Sequence, residues 1–390
     1  MVTVVSFVRF SIIAACCLIF ILFVTQRDVE TYPRTLKFTE PIQDQEDTFN
    51  FSVPAITIAD IIKRHQDELY KNLSKLLSNL KLENLTLATG GQPVRSVIIT
   101  TWRSGSTFLG DVLNAVPGNF YHYEPLLNFG IVQIRDPPLA EKAINNLKQL
   151  LKCNYYDLNN YLNYGKAHVY LFTHNNRLWK ECERYPQFCW NTTFLSDFCK
   201  LYPFQSMKVV RLRLKLAEEL LKDQLLNVKV LLLVRDPRGT LQSRKHRDWC
   251  PGAPDCDQPK LLCNDMVADY EAAADLQKKY SDRFRAIRYE DLSVDPYNHI
   301  PDLFKFFGLT FHENVKKFLD SHTKTNAGGV SSTFRDSKSA PFHWRLDLNF
   351  TEVQYIEENC QEAMKLWGYV KAKNETHLKE FNPVTPYVID

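Results

Sequence analysis

The stretch that most limits what this chain can fold into is Val94-Arg95-Ser96-Val97-Ile98-Ile99-Thr100-Thr101, a run rich in β-branched residues that leads without a break into Trp102-Arg103-Ser104-Gly105-Ser106-Thr107. Such a run favours extended backbone and reads as a buried strand. The next residues, Phe108-Leu109-Gly110-Asp111-Val112-Leu113, look like a helix start. A strand, a tight loop with glycine and hydroxyls, and a helix N-terminus make an anion site, because free backbone N–H groups and the helix dipole converge there. It is not a Walker A loop: Gly105-Ser106-Thr107 stands in place of a Gly-Lys-Ser/Thr ending, which counts against kinase and NTPase readings. Taken alone, the loop also fits an ordinary capped turn.

A second segment repeats the pattern. Val230-Leu231-Leu232-Leu233-Val234 is a strand, and Arg235-Asp236-Pro237-Arg238-Gly239-Thr240-Leu241-Gln242-Ser243-Arg244 opens a helix with Pro237 at a favourable early position. Arg235 falls at the carboxyl end of that strand, where open α/β sheets bind ligands. Ser243 follows eight residues later, about two helical turns on, placed to meet the same ligand. The plain alternative pairs Arg235 with Asp236 or a helix end. Further strand candidates at Met207–Leu212 and Phe284–Arg288 alternate with helical patterns. This alternation predicts an α/β domain with a mainly parallel central sheet flanked by helices.

The regions outside this domain carry different signals. Phe10–Val24 is an uncharged apolar run of 15 residues. Counting back through Val4 with Arg9 snorkelling extends it to about 21, close to what a bilayer needs. No small-x-small cleavage pattern follows, so a retained signal anchor is expected rather than a cleaved signal peptide. Six Asn-x-Ser/Thr sequons lie beyond it, at Asn50, Asn72, Asn84, Asn191, Asn349 and Asn374, and with the anchor they point to a lumenal glycoprotein. Cys16 and Cys17 lie in the apolar run, whereas Cys153, Cys182, Cys189, Cys199, Cys250, Cys256, Cys263 and Cys360 form an even set suited to disulfides in an oxidising compartment. Their pairing stays open, and a zinc site lacks the Cys-x-x-Cys or His partners it would need.

The balance of 48 basic and 45 acidic residues gives a net charge of only +3, so no global field draws nucleic acid and any basic site is local. The expected organisation is a cytoplasmic tail and anchor at 1–25, a lumenal stem at 26–92 with an amphipathic segment Ile58–Leu82, a catalytic domain at 93–375 with an aromatic, cysteine-rich, substrate-covering insertion at about 153–205, and a C-terminal tail at 376–390.

The two anion-site segments, in this order and at this distance, resemble the signatures with which carbohydrate sulfotransferases bind 3′-phosphoadenosine 5′-phosphosulfate (PAPS), specifically those of the 6-O-sulfotransferases acting on galactose, N-acetylgalactosamine or N-acetylglucosamine. Arg103-Ser104-Gly105-Ser106-Thr107-Phe108 resembles their 5′-phosphosulfate loop, and Val234-Arg235-Asp236-Pro237-Arg238 with Ser243-Arg244 their 3′-phosphate motif. Tyr121 to Leu126, Val210 to Leu214, Arg288 to Leu292, Phe334-Arg335 through His343-Trp344-Arg345, and the ending Ala363 to Tyr369 are similar as well. The resemblance covers roughly Pro93 to Val370. It implies a P-loop-like sulfotransferase fold preceded by a single N-terminal transmembrane helix, and a single-pass type II protein of the Golgi membrane with a lumenal catalytic domain. Homo-oligomerisation through stem or anchor is left open.

Sulfuryl transfer, like phosphoryl transfer, needs alignment and stabilisation of charge on the leaving oxygen. On this resemblance Arg103 and the N–H groups of Ser104, Gly105, Ser106 and Thr107 hold the 5′-phosphosulfate. Arg235 and Ser243 hold the 3′-phosphate, and Arg335 closes over the nucleotide from a loop that Arg345 flanks on its far side. The scheme requires no metal. Glu124 is the candidate base that takes the acceptor proton, and burial among aromatics is expected to raise its pKa; local capping is the plain alternative. His122 is the second candidate. Arg211, Arg213 and Lys215 share a face if the strand extends that far, and would bind an acidic glycan or the cofactor, or else form a solvated edge. Arg288, Glu290 and Asp291 are expected to close the last strand.

The expected reaction is PAPS-dependent sulfation of the 6-hydroxyl of galactose or N-acetylgalactosamine in keratan- or chondroitin-type glycans. An N-acetylglucosamine acceptor, a glycosaminoglycan amine or a protein tyrosine are the enzymatic alternatives. A non-catalytic lumenal protein that binds PAPS or glycan is the alternative of another class. Against it stands the joint presence of Arg103, Glu124, Arg235 and Ser243.

Overall fold

In the computed structural model, which describes residues 56–76, 81–328 and 332–389, Val97, Ile98 and Ile99 are fully buried. Their alternation serves two apolar layers: Val97 and Ile99 pack into one core and Ile98 into another on the opposite face. The strand they form, β1 (Val94–Ile99), is the middle of a five-stranded sheet with β2 (Asn119–Tyr123), β3 (Phe204–Val209), β4 (Val228–Val234) and β5 (Phe284–Arg288). The order is β2-β3-β1-β4-β5 and every pairing is parallel. Helices Leu214–Lys222 and Pro259–Lys279 cover the first face, while Ser106–Asn114 and Pro296–Phe307 cover the second. The predicted α/β class with a parallel sheet is therefore found.

The chain leaves β1 for the far edge at β2, returns to β3 beside β1, and then crosses to β4 on the other side. Such a switch opens a crevice at the carboxyl ends of the strands. Arg103, Glu124, Lys208, Arg211, Arg235 and Ser243 gather there.

Several boundaries differ from expectation. The helix Ile58–Leu76 buries Ile61 and Leu73, and Ile61 joins the core of Val97 and Phe120. The folded unit therefore begins at Ile56 rather than after a stem ending at residue 92. The cysteine-rich stretch is not merely a cover: Phe194, Leu195 and Phe198 are fully buried in the same core. At the other end Tyr369 bridges to Val384, and Leu378 and Phe381 are buried, so residues past 375 pack onto the domain. The expected anchor and Asn50 lie outside the described residues. Among the described residues, no helix is long and apolar enough to cross a membrane.

The pairing left open by the sequence is Cys153–Cys199, Cys182–Cys189, Cys250–Cys256 and Cys263–Cys360. All eight sulfurs of a rival zinc reading are thus engaged. Cys263–Cys360 closes a separation of 97 residues and Cys182–Cys189 one of 7. Because the unfolded chain gains more freedom when a longer loop opens, Cys263→Ala/Cys360→Ala should destabilise the protein by roughly 2 kcal/mol more than Cys182→Ala/Cys189→Ala. Urea unfolding of both double variants measures the difference; equal losses would contradict the loop-length account.

Candidate active site

Thr100, at the end of β1, donates its hydroxyl to the Leu233 carbonyl on β4 at 2.7 Å, so the loop after β1 starts beside the second segment. The loop turns through two positive φ values, 68° at Arg103 and 81° at Gly105. Glycine is required at the second, since a Cβ there would stand 2.2 Å from the Tyr289 ring. Gly105 precedes the helix Ser106–Asn114, and no side chain caps that helix. Its leading N–H groups are therefore open to an anion.

The two predicted phosphate segments meet here. Arg103 donates through Nε to Ser243 Oγ at 3.0 Å across 140 residues of sequence. Arg235 donates to the Arg103 carbonyl at 2.8 Å, and its guanidinium lies 4.8 Å above the Tyr289 ring. Two buried polar atoms in this cradle, Ser104 Oγ and Arg235 Nε, have no hydrogen-bond partner among the described residues. Buried polar groups are normally satisfied, so this pair suits a phosphate supplied from outside. Burial, with the charges of Arg247 and Arg235 added, depresses the Arg103 guanidinium to about 10. A polyanion would relieve that crowding.

The neighbouring arginines of the second segment serve the fold instead. Arg238 is ion-paired to Asp236 and Glu357, both at 2.7 Å, and stacks on Trp344. Arg244 donates to Cys256 O, Trp102 O and Thr101 Oγ1.

Glu124 lies at the carboxyl end of β2, its Oε1 2.8 Å from Lys208 Nζ and its Oε2 3.0 Å from an Arg211 guanidinium nitrogen. Its pKa moves opposite to the expectation. Burial pushes it up, but the charges and hydrogen bonds of Lys208 and Arg211 together outweigh burial and hold it at about 2. Lys208 went unrecognised in the sequence. It is almost wholly buried on β3, 3.2 Å from Thr107 Oγ1 and 4.0 Å from the Tyr123 ring centroid. The signal was present: a single lysine within the otherwise uncharged strand Phe204–Val209.

Other expected site residues are placed elsewhere. His122, next to Tyr123 on β2, points to the opposite face, where it is buried 5.0 Å from Phe120. Burial, helped by Arg95, depresses its pKa to about 3, which fits a core residue rather than a base. Arg213 is buried against Asp265 and Asp269 at 3.5 and 3.4 Å and donates to Thr100 O. Lys215 is exposed on the next helix. The three basic residues do not share a face because the sheet ladder ends at Val209, where the chain bends to pair with Ile134 through Leu212. Arg335 donates to carbonyls of Ala327 and Phe334 within its own loop. Arg345 is tied to the Phe381 carbonyl.

A family model described as "Sulfotransferase domain" matches residues 93–368. The chain belongs to the sulfotransferase family. Among curated proteins it is 27% identical to carbohydrate sulfotransferase 3 of Tetronarce californica, over 72% of this chain and 74% of that one. It is 26% identical to carbohydrate sulfotransferase 5 of Mus musculus, over 75% of this chain and 85% of the other. The chain is accordingly a sulfotransferase, and the reading as a non-catalytic binding protein falls away. Solved structures overlap more coarsely. The sulfotransferase domain of the Synechococcus PCC 7002 olefin synthase has 17% identity and a TM-score of 0.39, covering 70% of this chain and 94% of that domain. Mouse sulfotransferase SULT7A1 complexed with PAP has 12% identity and a TM-score of 0.36, covering 70% of this chain and 84% of that one.

Behind the second segment, Glu290 accepts hydrogen bonds from the Asp236 backbone N–H at 3.0 Å and the Tyr369 hydroxyl at 2.9 Å. Burial, then the charge of Asp236, raises its pKa from 4.5 to about 7. A raised carboxyl holds its proton in the folded state after the unfolded chain has lost it, so its stabilising contribution is full below pH 4.5 and declines as pH rises to about 7. Glu290→Gln should remove that part of the decline in a series of melting temperatures across this range. An unchanged slope would show that Glu290 is not the titrating group.

Proposed function

We propose that this chain transfers the sulfuryl group of PAPS to the 6-hydroxyl of galactose or N-acetylgalactosamine in keratan- or chondroitin-type glycans. The observation that carries this reading is the joining of the two phosphate segments, through Arg103 to Ser243 and Arg235 to the Arg103 carbonyl, with Lys208 linking Thr107 of the same loop to Glu124. PAPS supplies an activated sulfuryl group and a phosphate leaving group. Arg103 and the leading N–H groups of Ser106–Asn114 hold the 5′ end and offset charge on the leaving oxygen. Arg235 and Ser243 hold the 3′-phosphate. Glu124 orients the acceptor hydroxyl and takes its proton.

Exposed aromatic surface around Glu124 supports a sugar acceptor. Tyr170, 51% exposed, stands four positions before His174, which stacks on Tyr123 at 3.7 Å. Trp249, 41% exposed, meets Trp102 edge-on at 6.2 Å, and Trp102 in turn lies 5.5 Å from the Arg211 guanidinium. Flat rings with an apolar face and a polar edge suit the C–H face of a pyranose.

The four disulfides and the exposure of Asn72, Asn84, Asn191, Asn349 and Asn374 support a glycosylated lumenal domain. Asn191, Asn349 and Asn374 cap helices through the side-chain oxygen, which leaves the nitrogen available for a glycan. A Golgi type II topology with the anchor at 1–25 belongs to the same proposal.

Radiolabelled sulfate transferred from PAPS to desulfated keratan and chondroitin chains should appear on carbon 6; label on another atom, or on neither polymer, would overturn the acceptor assignment. Glu124→Gln, nearly isosteric, should lower kcat by about a hundred- to ten-thousandfold while changing affinity for 3′-phosphoadenosine 5′-phosphate (PAP) only a few fold. Near wild-type turnover would remove Glu124 as the base. Ser243→Ala and Arg235→Ala should weaken PAP binding by roughly ten- to a hundredfold, the arginine more, as read by calorimetry. Unchanged affinity in both would take the 3′-phosphate away from this segment.

A further inference from the structure

The helix Ser106–Asn114 opens at the anion loop, and its other end is engaged by the cysteine-rich stretch. Arg177, in the first turn of the helix Asn176–Arg184, donates through Nη1 to the Asn114 carbonyl at 3.0 Å and to Asn114 Oδ1 at 2.9 Å, and through Nη2 to the Val116 carbonyl at 2.9 Å. Asn114 in turn donates through Nδ2 to the His174 carbonyl at 2.8 Å. Both halves of one amide thus grip the segment 174–177.

None of the acceptors of Arg177 is a carboxylate, and burial holds its pKa below the usual guanidinium value. A cation at a helix C-terminus is favourable, yet burying it without a counter-ion is expensive. Attachment alone does not call for it. Leu171, Phe172 and Leu178 are already buried in the core, and Cys182–Cys189 ties the same helix to the chain beyond it. What a planar guanidinium with three fixed acceptors adds to apolar packing is a defined register.

That register governs what the stretch carries toward Glu124. His174 lies flat on Tyr123, with 3.7 Å between ring centroids and 4° between planes, and Tyr123 precedes Glu124 at the end of β2. Burial, then the charges of Tyr164, Tyr123 and Glu124, raise the pKa of half-exposed Tyr170, so its phenol lies within electrostatic reach of that carboxylate. The helix Ser106–Asn114, nine residues long, is a stiff rod of about 13 Å. Its head faces the anion loop and its tail holds the segment 174–177, so both sides of the crevice are referred to one rod.

We propose that Arg177 is a positioning residue for the acceptor: it fixes the wall formed by Tyr170, His174 and Tyr123 at the distance from the anion loop that a sugar seated at Glu124 requires. This rests on the sulfuryl-transfer reading above. The wall meets parts of the sugar that do not react, so loss of its register weakens the acceptor in the ground state and the transition state alike. PAPS, held at the opposite end of the rod, is left in place.

The test measures rates against glycan concentration at saturating PAPS for wild type, Arg177→Met, Arg177→Lys and Asn114→Asp, with whichever desulfated glycan the wild-type protein sulfates, and PAP affinity by calorimetry. Arg177→Met should raise the KM for the glycan about tenfold or more, lower kcat less than about threefold, and leave PAP affinity within about threefold. Arg177→Lys keeps the charge and three donors and should recover most of the change in KM. Asn114→Asp keeps the oxygen that Arg177 binds but removes the N–H group that holds the His174 carbonyl, so it should raise KM in the same way. It carries the test alone if Arg177→Met does not fold, as judged by PAP binding and thermal melting. A KM within about threefold of wild type in a folded variant, whatever happens to kcat, would overturn the role of Arg177. So would a loss of PAP affinity as large as the change in KM, since the arginine would then merely support the anion helix. Wild-type protein that sulfates no glycan would instead overturn the function on which the proposal rests.

Discussion

The crevice depends on an imbalance of charge. Arg103, Lys208, Arg211 and Arg235 converge where β1, β3 and β4 end, and Glu124 is the carboxylate that two of them share. Placing cations in a poorly solvated site is expensive unless anions compensate. In the free protein Glu124 serves two of the four at once, which accounts for a carboxyl held at about 2 despite its burial. The remaining deficit is a binding property. The donor of the proposed reaction, bearing several phosphate charges, would offset it and draw on the cations that hold Glu124 in its least basic state.

The same chemistry separates an arginine with donor capacity to spare from those whose donors the fold uses up. Arg244 has three oxygen acceptors within the protein, and Arg288 has Asp291 together with the carbonyls of Trp367, Gly368 and Thr385. A guanidinium whose fork is filled in this way fixes loops and has little left for a ligand. Arg235 differs, with one carbonyl, one aromatic face and a buried Nε left over. Arg238 and Arg244 stand in the same short motif; the strand end singles out Arg235 in the sequence, but the structural duty of the other two is not legible there. That depends on partners such as Glu357 and Cys256, which reach the motif through tertiary packing.

Local signals in the sequence were accurate where local physics decides. β1 and β4 are rich in β-branched and aliphatic residues, each ends in an apolar stretch entering a loop with glycine or proline, and both lie where the residue pattern puts them. β2 escaped notice because Asn119-Phe120-Tyr121-His122-Tyr123 is short, aromatic and at the sheet edge, where pairing with β3 rather than composition makes it a strand. The reach of β3 was overestimated because Val210-Arg211-Leu212-Arg213 still alternates after the ladder has ended. The direction of the Glu124 shift was lost for a related reason. Neighbouring aromatics suggested burial, but Lys208 on β3 and Arg211 just past its end are more than 80 positions away. Helix Ile58–Leu76 was legible as an amphipathic helix, whereas the fact that Ile61 belongs to the catalytic core was not.

Backbone conformation points to the same two residues by an independent route. Four residues other than glycine have positive φ: Arg103, Glu124, Cys153 and Asn227, counted among the described residues. Asparagine tolerates this region, and Cys153 is held by its bond to Cys199. Arg103 and Glu124 have neither excuse, and the left-handed conformation costs about 1 to 2 kcal/mol for such a residue. Each is held by contacts of its own: Arg103 through Ser243 and through Arg235 at its carbonyl, Glu124 through Lys208, Arg211 and the Leu127 N–H that donates to its carbonyl at 3.0 Å. The hydrogen bonds that shape the anion cradle are thus also the ones that hold its least favourable backbone, so a substitution at Arg235 acts on the Arg103 turn as well as on the phosphate it would bind.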